Sequence, residues 1–272
     1  MNWQDFLSSQ VLSDVVNEGH SHIYPLTELA MLAISGADAA TFLQGQVTCN
    51  VNEVTSERAG FGAMCTPKGR VISTFILLKQ DDGFLMLLPT VLASIVKERL
   101  SKYVLRAKAS LNLADAVLLG VSSDNTDFLS TASNRLHLGK RDVLWCASED
   151  VERVWQAFLA QGFIATVEKQ WQYLDVIAGL PWLTLATTEQ FIPQMLNMDA
   201  LGGISYNKGC YTGQEIVART HYLGKAKRAL FLAESERTPE AGTEVLNQQG
   251  QSVGMVLTAA LNKLLIVLQE GA

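Results

Sequence analysis

Hydrophobic positions along the chain switch between two periods. Trp3, Phe6, Leu7, Val11, Leu12 and Val15 recur at helical spacing and predict a short helix over 3–16. Residues 29–35 are apolar up to Ser35 and stop at Gly36, as a buried strand would. Gly36-Ala37-Asp38 then opens a short helix through Phe42 and Leu43. Two strand-like runs, 70–79 and 83–89, flank the turn Gln80-Asp81-Asp82-Gly83. A helix follows, with Thr90 as its expected N-cap and Leu92, Ile95, Val96, Leu100, Tyr103 and Val104 as its apolar face. Residues 109–121 return to strand character. Ser148 is the expected cap of a further helix, with Glu149 and Asp150 in its first turn, where acids suit the dipole. Its face is Val151, Val154, Trp155, Phe158 and Leu159, the i, i+3, i+4, i+7, i+8 pattern. After Lys225 the texture is strand-like at 226–235 and 252–268, around a polar, turn-rich stretch at 236–251. Adjacent strand runs without a regular βαβ alternation predict an α+β architecture with a small C-terminal β-domain.

Composition narrows the function classes. With 48% hydrophobic and 18% charged residues, the chain is globular rather than disordered. A net charge of −6 argues against a general nucleic-acid binder, and no direct nucleic-acid partner is expected. Residues 1–17 lack a basic n-region and a long apolar core, and no run reaches the ~18 apolar residues of a membrane span. Cytoplasmic localisation without a membrane partner is the expectation. Cysteines at 49, 65, 146 and 210 form no CxxC pair and are expected as reduced thiols, three of them core-type.

The informative stretch is Lys208-Gly209-Cys210-Tyr211-Thr212-Gly213-Gln214-Glu215, followed by Ile216-Val217-Ala218-Arg219. Gly209 permits a tight turn and Gly213 a close backbone approach. A helix from Tyr211 onward would put Cys210 at its N-terminus beside Lys208, and both features favour thiolate. The octet resembles the K-G-C-Y-x-G-Q-E signature of the YgfZ family, which is related to the T-protein of the glycine cleavage system, a folate-dependent aminomethyltransferase. Further stretches share the resemblance: Gly36-Ala37-Asp38, Leu43-Gln44-Gly45-Gln46-Val47-Thr48, Pro67-Lys68-Gly69-Arg70, Phe191-Ile192-Pro193-Gln194, Leu201-Gly202-Gly203-Ile204-Ser205 and Lys227-Arg228.

The resemblance implies an aminomethyltransferase-like folate-binding fold: residues 1–224 as subdomains around a central hole, and 225–272 as a short C-terminal β-barrel. It implies tetrahydrofolate or another folate as ligand, and a role in maintaining iron–sulfur enzymes, including the one that methylthiolates tRNA. Cys210 would be the functional thiol, redox-active or touching a cluster transiently. Lys208, Gly209, Tyr211, Gly213, Gln214, Glu215 and Arg219 complete its motif. Trp171 and Leu29 stand at folate-contact positions that are aromatic in the family, and Lys68 and Arg70 could hold the folate's glutamate tail by charge.

Against the relatives, Ser73 and Thr74 stand where the aminomethyltransferases carry acids. A hydroxyl supplies neither a carboxylate's charge nor its general-base function, which argues against aminomethyl transfer. Ile177 replaces a glutamate that can hold the pterin, with Asp175 two residues earlier as the candidate substitute. The rival readings are a folate-dependent one-carbon transferase, a partner-binding module that has lost folate, and a thiol enzyme using Cys210. His20 and His22 lack acid or cysteine partners in the sequence, so no metal is expected. His221 is a candidate base on Cys210 that the resemblance does not require. The locally basic stretch 219–228 reads as a solvated rim, an anion site or a docking edge.

Overall fold

The computed structural model describes residues 3–17, 19–124 and 134–271. In chain order the elements begin with α1 (Trp3–Ser8), β1 (His22–Pro25), β2 (Leu29–Ser35), α2 (Ala39–Gln44), β3 (Gly60–Cys65), β4 (Val71–Gln80), β5 (Gly83–Pro89) and α3 (Thr90–Val104). They continue with β6 (Ser110–Leu113), β7 (Val117–Ser122), β8 (Arg135–His137), β9 (Arg141–Cys146), α4 (Val151–Ala160), β10 (Ile164–Ala165) and α5 (Glu168–Ile177). The rest are α6 (Gln214–Leu223), β11 (Arg228–Glu234), β12 (Glu244–Leu246), β13 (Ser252–Ala260) and β14 (Lys263–Gln269). No described helix is long and apolar enough to cross a membrane.

The chain forms two compact units, each from two segments: Met1–Ala30 with Asp115–Leu174, and Met31–Ala114 with Asp175–Ala272. The first unit holds a five-stranded sheet in the order β10-β1-β7-β9-β8, antiparallel except for β1 beside β10. The apolar stripe of α4 packs on it: Trp155 and Phe158 join Ile23, Leu119 and Val121 in one core cluster. Phe6 of α1 enters the same cluster, but the expected helix over 3–16 stops at Ser8. The Ser8 and Ser9 hydroxyls donate to the main-chain carbonyls of Asp5 and Phe6, the competition that makes serine a poor helix interior residue. Ser148 does not cap α4. Asp150 holds the capping position without a side-chain bond, and the Ser148 hydroxyl donates to Asp115. Thr90 likewise opens α3 itself, behind Pro89.

The second unit holds a five-stranded sheet, β3-β4-β5-β2-β6, and a four-stranded one, β11-β14-β13-β12. The run 109–121 is two strands rather than one. Its first part pairs with β2 and its second with β1 and β9, so the polypeptide leaves one sheet for another at Ala114-Asp115-Ala116. Gly83 closes the β4–β5 turn where no side chain fits: a Cβ there would lie 2.0 Å from the Ile34 carbonyl oxygen. The expected barrel is an open sheet among the described residues. A barrel needs its outer strands paired, and here three-residue β12 pairs only with β13 while β11 pairs only with β14.

Candidate functional site

Within the second unit, sequence blocks far apart in the chain converge on residues 208–215. Helix α6 begins at Gln214, not at Tyr211, because Gly213 takes the capping position with a left-handed φ of 87°. Only glycine fits there: a Cβ would lie 2.6 Å from the Thr66 carbonyl oxygen and 3.1 Å from the Gly69 Cα. Gly69, itself at φ 69°, faces α6 in return, and its added Cβ would meet Ile216 at 2.9 Å. The turn at 66–70 and the start of α6 are therefore packed glycine to glycine. That turn is closed by Thr66 N–H to the Arg70 carbonyl and Gly69 N–H to the Thr66 carbonyl, both 2.8 Å.

The block 45–49 forms the other wall. Thr212 N–H donates to the Gly45 carbonyl at 3.2 Å, and Thr48 joins residues 203–205 through its hydroxyl to the Gly203 carbonyl at 2.6 Å. Gln194 ties in as well, donating from Nε2 to the Val217 carbonyl of α6 at 2.8 Å.

Lys208 is buried, and its ammonium donates to the carbonyls of Val47 and Cys49, each at 2.7 Å. It also lies 5.0 Å from the centre of the Tyr211 ring. Burial pulls the Lys208 ammonium down to about 8. This corrects the expectation that Lys208 attends Cys210. Its ammonium is committed to main-chain carbonyls, and the thiol that feels its charge is Cys49, which burial nonetheless pushes up to about 11. The expectation of Cys210 at a helix terminus also changes, since Cys210 stands three residues ahead of the capping glycine. Lys208 and Tyr211 are buried while Gly209 and Cys210 are exposed. The motif is a short tongue, anchored on both sides, that presents one thiol to solvent. Cys65 lies inside, pushed up to about 12 by burial, and makes a poor nucleophile there. The Tyr211 hydroxyl is buried without a hydrogen-bond partner among the described residues, and burial raises its pKa.

Other motif members are less engaged. Glu215 and Arg219 form an exposed i, i+4 pair at 2.8 Å. His221 stacks on Tyr206 with ring centres 3.8 Å apart. It sits seven residues beyond Gln214, about 10 Å along α6, and no described contact joins it to Cys210. Ser73 and Thr74 are fully buried on β4, and their hydroxyls donate to the Thr74 and Pro181 carbonyls. Lys68 and Arg70 are exposed, with Arg70 Nη1 donating to the Gln190 carbonyl at 2.7 Å. Ile177 ends α5 and is 44% exposed, whereas Asp175 is buried and accepts from Trp182 Nε1 at 3.0 Å. Among the described residues no group of three or more His, Cys, Asp or Glu could hold a metal ion.

In the first unit, Trp171 is 2% exposed. The Arg141 guanidinium lies 4.7 Å from its ring centre, Tyr24 packs at 5.6 Å, and a Cβ on Gly120 would strike the ring at 2.5 Å. Its Nε1 is buried without a hydrogen-bond partner among the described residues. Leu29 is half-buried at the start of β2. Sequence reasoning did not find Arg141 over Trp171 or the Lys208–Cys49 neighbourhood. The signal for the first was a charged Arg141-Asp142 pair opening an apolar strand; the second left none.

No family model matches the chain. It is 31% identical over 261 residues to the tRNA-modifying protein YgfZ of Colwellia psychrerythraea, a match that covers 89% of this chain and 81% of that protein. Among solved structures, the glycine cleavage system aminomethyltransferase T from Bartonella henselae superposes with a TM-score of 0.71 at 12% identity, over 92% of this chain and 79% of that one. The second likeness establishes an aminomethyltransferase-like α+β fold. The first, together with the convergence of the signature blocks around one presented thiol, establishes that the chain belongs to the YgfZ family.

Proposed function

We propose that this protein is a cytoplasmic folate-binding accessory factor for tRNA modification, and that it acts by supporting iron–sulfur enzymes rather than by turning over a one-carbon unit. The observation that carries this reading is the anchored tongue at 208–211: a family signature built to expose one thiol, with its lysine spent on structure. A single thiol cannot hold a cluster that takes four ligands, so any cluster contact by Cys210 would be transient or completed by a partner or small thiol.

Tetrahydrofolate would be held by residues 1–224. Asp175 is the buried carboxylate that could accept pterin N–H groups where Ile177 cannot. Trp171 offers a buried indole N–H that no described residue accepts, and Lys68 and Arg70 offer charge for a glutamate tail. Aminomethyl transfer is disfavoured because the hydroxyls of Ser73 and Thr74 donate to main-chain carbonyls in a dry interior. One observation favours the second reading, a partner-binding module without folate: Trp171 is already covered by Arg141.

Calorimetric titration with tetrahydrofolate, free and polyglutamylated, separates the two. Micromolar binding, weakened at least about tenfold in Asp175→Asn, is expected for a charge-assisted pterin contact. Trp171→Ala is expected to abolish binding and also to destabilise its unit by about 3–5 kcal/mol, the cost of emptying a buried aromatic site. No binding by the unaltered protein gives the lead to the module reading.

A further inference from the structure

A cleft of about 160 Å³ opens in the second unit between the turn at 66–70 and the last turns of α3. Its inner wall is buried and mostly apolar, from Met64, Cys65 and Ile72 with the one polar side chain of Thr66, and Pro67, Arg99, Lys102 and Tyr103 complete the lining. Tyr103 is 44% exposed. The charge around it opposes that of the whole chain. Arg99 pairs with Glu189, and Arg70 donates to the carbonyl of the next residue, Gln190, so the two guanidinium groups flank one short stretch. Lys68 and Lys102 are exposed, and among the described residues neither they nor Arg70 has a carboxylate partner. Glu98, one turn before Lys102, makes no ion pair with it. Four cations (Lys68, Arg70, Arg99, Lys102) against two carboxylates (Glu98, Glu189) leave +2 on a chain whose net charge is −6.

We infer that this cleft docks an acidic segment of a partner protein that inserts one apolar side chain. The inference goes beyond folate binding and stands without it. The volume lies below the ~300 Å³ at which small-molecule sites begin, so it suits one anchoring side chain rather than a cofactor. The buried Met64, Cys65 and Ile72 side chains give a leucine- or phenylalanine-like anchor apolar surface on which to leave water. Lys102 on the rim, with Lys68 and Arg70 on the adjoining turn, steers acidic residues on either side of that anchor and fixes their register, while the buried anchor slows release. Tyr103 supplies the rigid, amphipathic wall common at such contacts.

The test uses the full chain and three labelled probes in fluorescence anisotropy: a short Glu/Asp peptide with one central leucine, the same peptide with serine in its place, and an oligouridylate of equal charge. The leucine peptide should bind at least about fivefold more tightly than the serine peptide, the scale of one buried apolar anchor. Its affinity should drop about tenfold in Lys102→Glu and fall with salt, as steering by charge requires. Tyr103→Ala should weaken it as well, and Lys227→Glu, in the other basic stretch, should leave it unchanged. Lys102 and Tyr103 are exposed, so an unchanged urea midpoint shows that the variants fold. Equal binding of leucine and serine peptides, tighter binding of oligouridylate, or no binding of the leucine peptide overturns the proposal.

Discussion

Lys208→Met is the most informative single change, because the geometry fixes its size and its pH dependence. The substitution removes two hydrogen bonds of 2.7 Å from an ammonium to the Val47 and Cys49 carbonyls, in residues that are 0% and 4% exposed. Charge-assisted bonds contribute about 1.5–3 kcal/mol each, and a buried carbonyl left unpaired costs about 1–3 kcal/mol. Relief from burying an ammonium offsets part of that loss. A net loss of about 2–4 kcal/mol is expected, read as a lower urea midpoint at pH 7. The sign with pH follows from the lowered pKa. Below about 8 the lysine is charged folded and unfolded, and the folded state bears the full cost of burying the charge. Between about 8 and 10.5 the folded protein has released the proton while the unfolded chain still holds it, so wild-type stability rises with pH relative to the variant. Subtracting the two curves removes the opposing titration of buried Cys65, which both proteins share; Cys49 loses the Lys208 charge that lowers its pKa and titrates higher in the variant, above this window. The tongue should also loosen, making Cys210 react faster with a large thiol reagent. A variant as stable as wild type, with a flat difference curve across that window, would refute the anchoring role.

Two further expectations follow from local geometry. Gly213→Ala forces a Cβ to within 2.6 Å of the Thr66 carbonyl at φ 87°, so a loss of at least about 2 kcal/mol by urea denaturation is expected. Gly209→Ala, with nothing within 4 Å, should change stability by no more than about 0.5 kcal/mol, and a comparable loss at both positions would sink the close-approach account. His22 is buried, bonded to Thr166 Oγ1 at 2.9 Å, and burial holds its pKa below 6.5. Between its folded value and 6.5 only the unfolded chain takes up the proton. Stability should therefore fall as pH drops below 6.5, and His22→Gln should show a shallower fall in thermal melts from pH 7 to 5.

What could be read from the chain was whatever depends on neighbours in sequence. The stripe of α4 was legible because Val151, Trp155 and Phe158 all face one sheet. The run 109–121 was misleading because its apolar character continues while its hydrogen-bonding partners change from β2 to β1 and β9, which only tertiary pairing decides. In the site, the octet identified the family and Gly213 announced a close approach. The direction of Lys208 was hidden because its acceptors lie 161 and 159 residues away and are carbonyls, which every residue type carries. The resemblance marked Trp171, on α5, as a folate-contact position, while the arginine covering it comes from strand β9, thirty residues earlier.

The strand order of the C-terminal sheet bears on how the protein emerges from the ribosome. β14 follows β11 and β13 in the chain yet lies between them, so until it is synthesised β11 has no strand partner among the described residues and, within this sheet, only the short pairing of β12 with β13 can form. The first unit is complete by residue 174, almost ninety residues before β14 begins. Vectorial synthesis therefore favours a folded first unit trailing an unfinished second one, with the β11 edge exposed to aggregation or chaperone capture during that interval. A ribosome stalled before Lys263 would release a species that carries the whole 208–215 signature and a sheet lacking an inner strand.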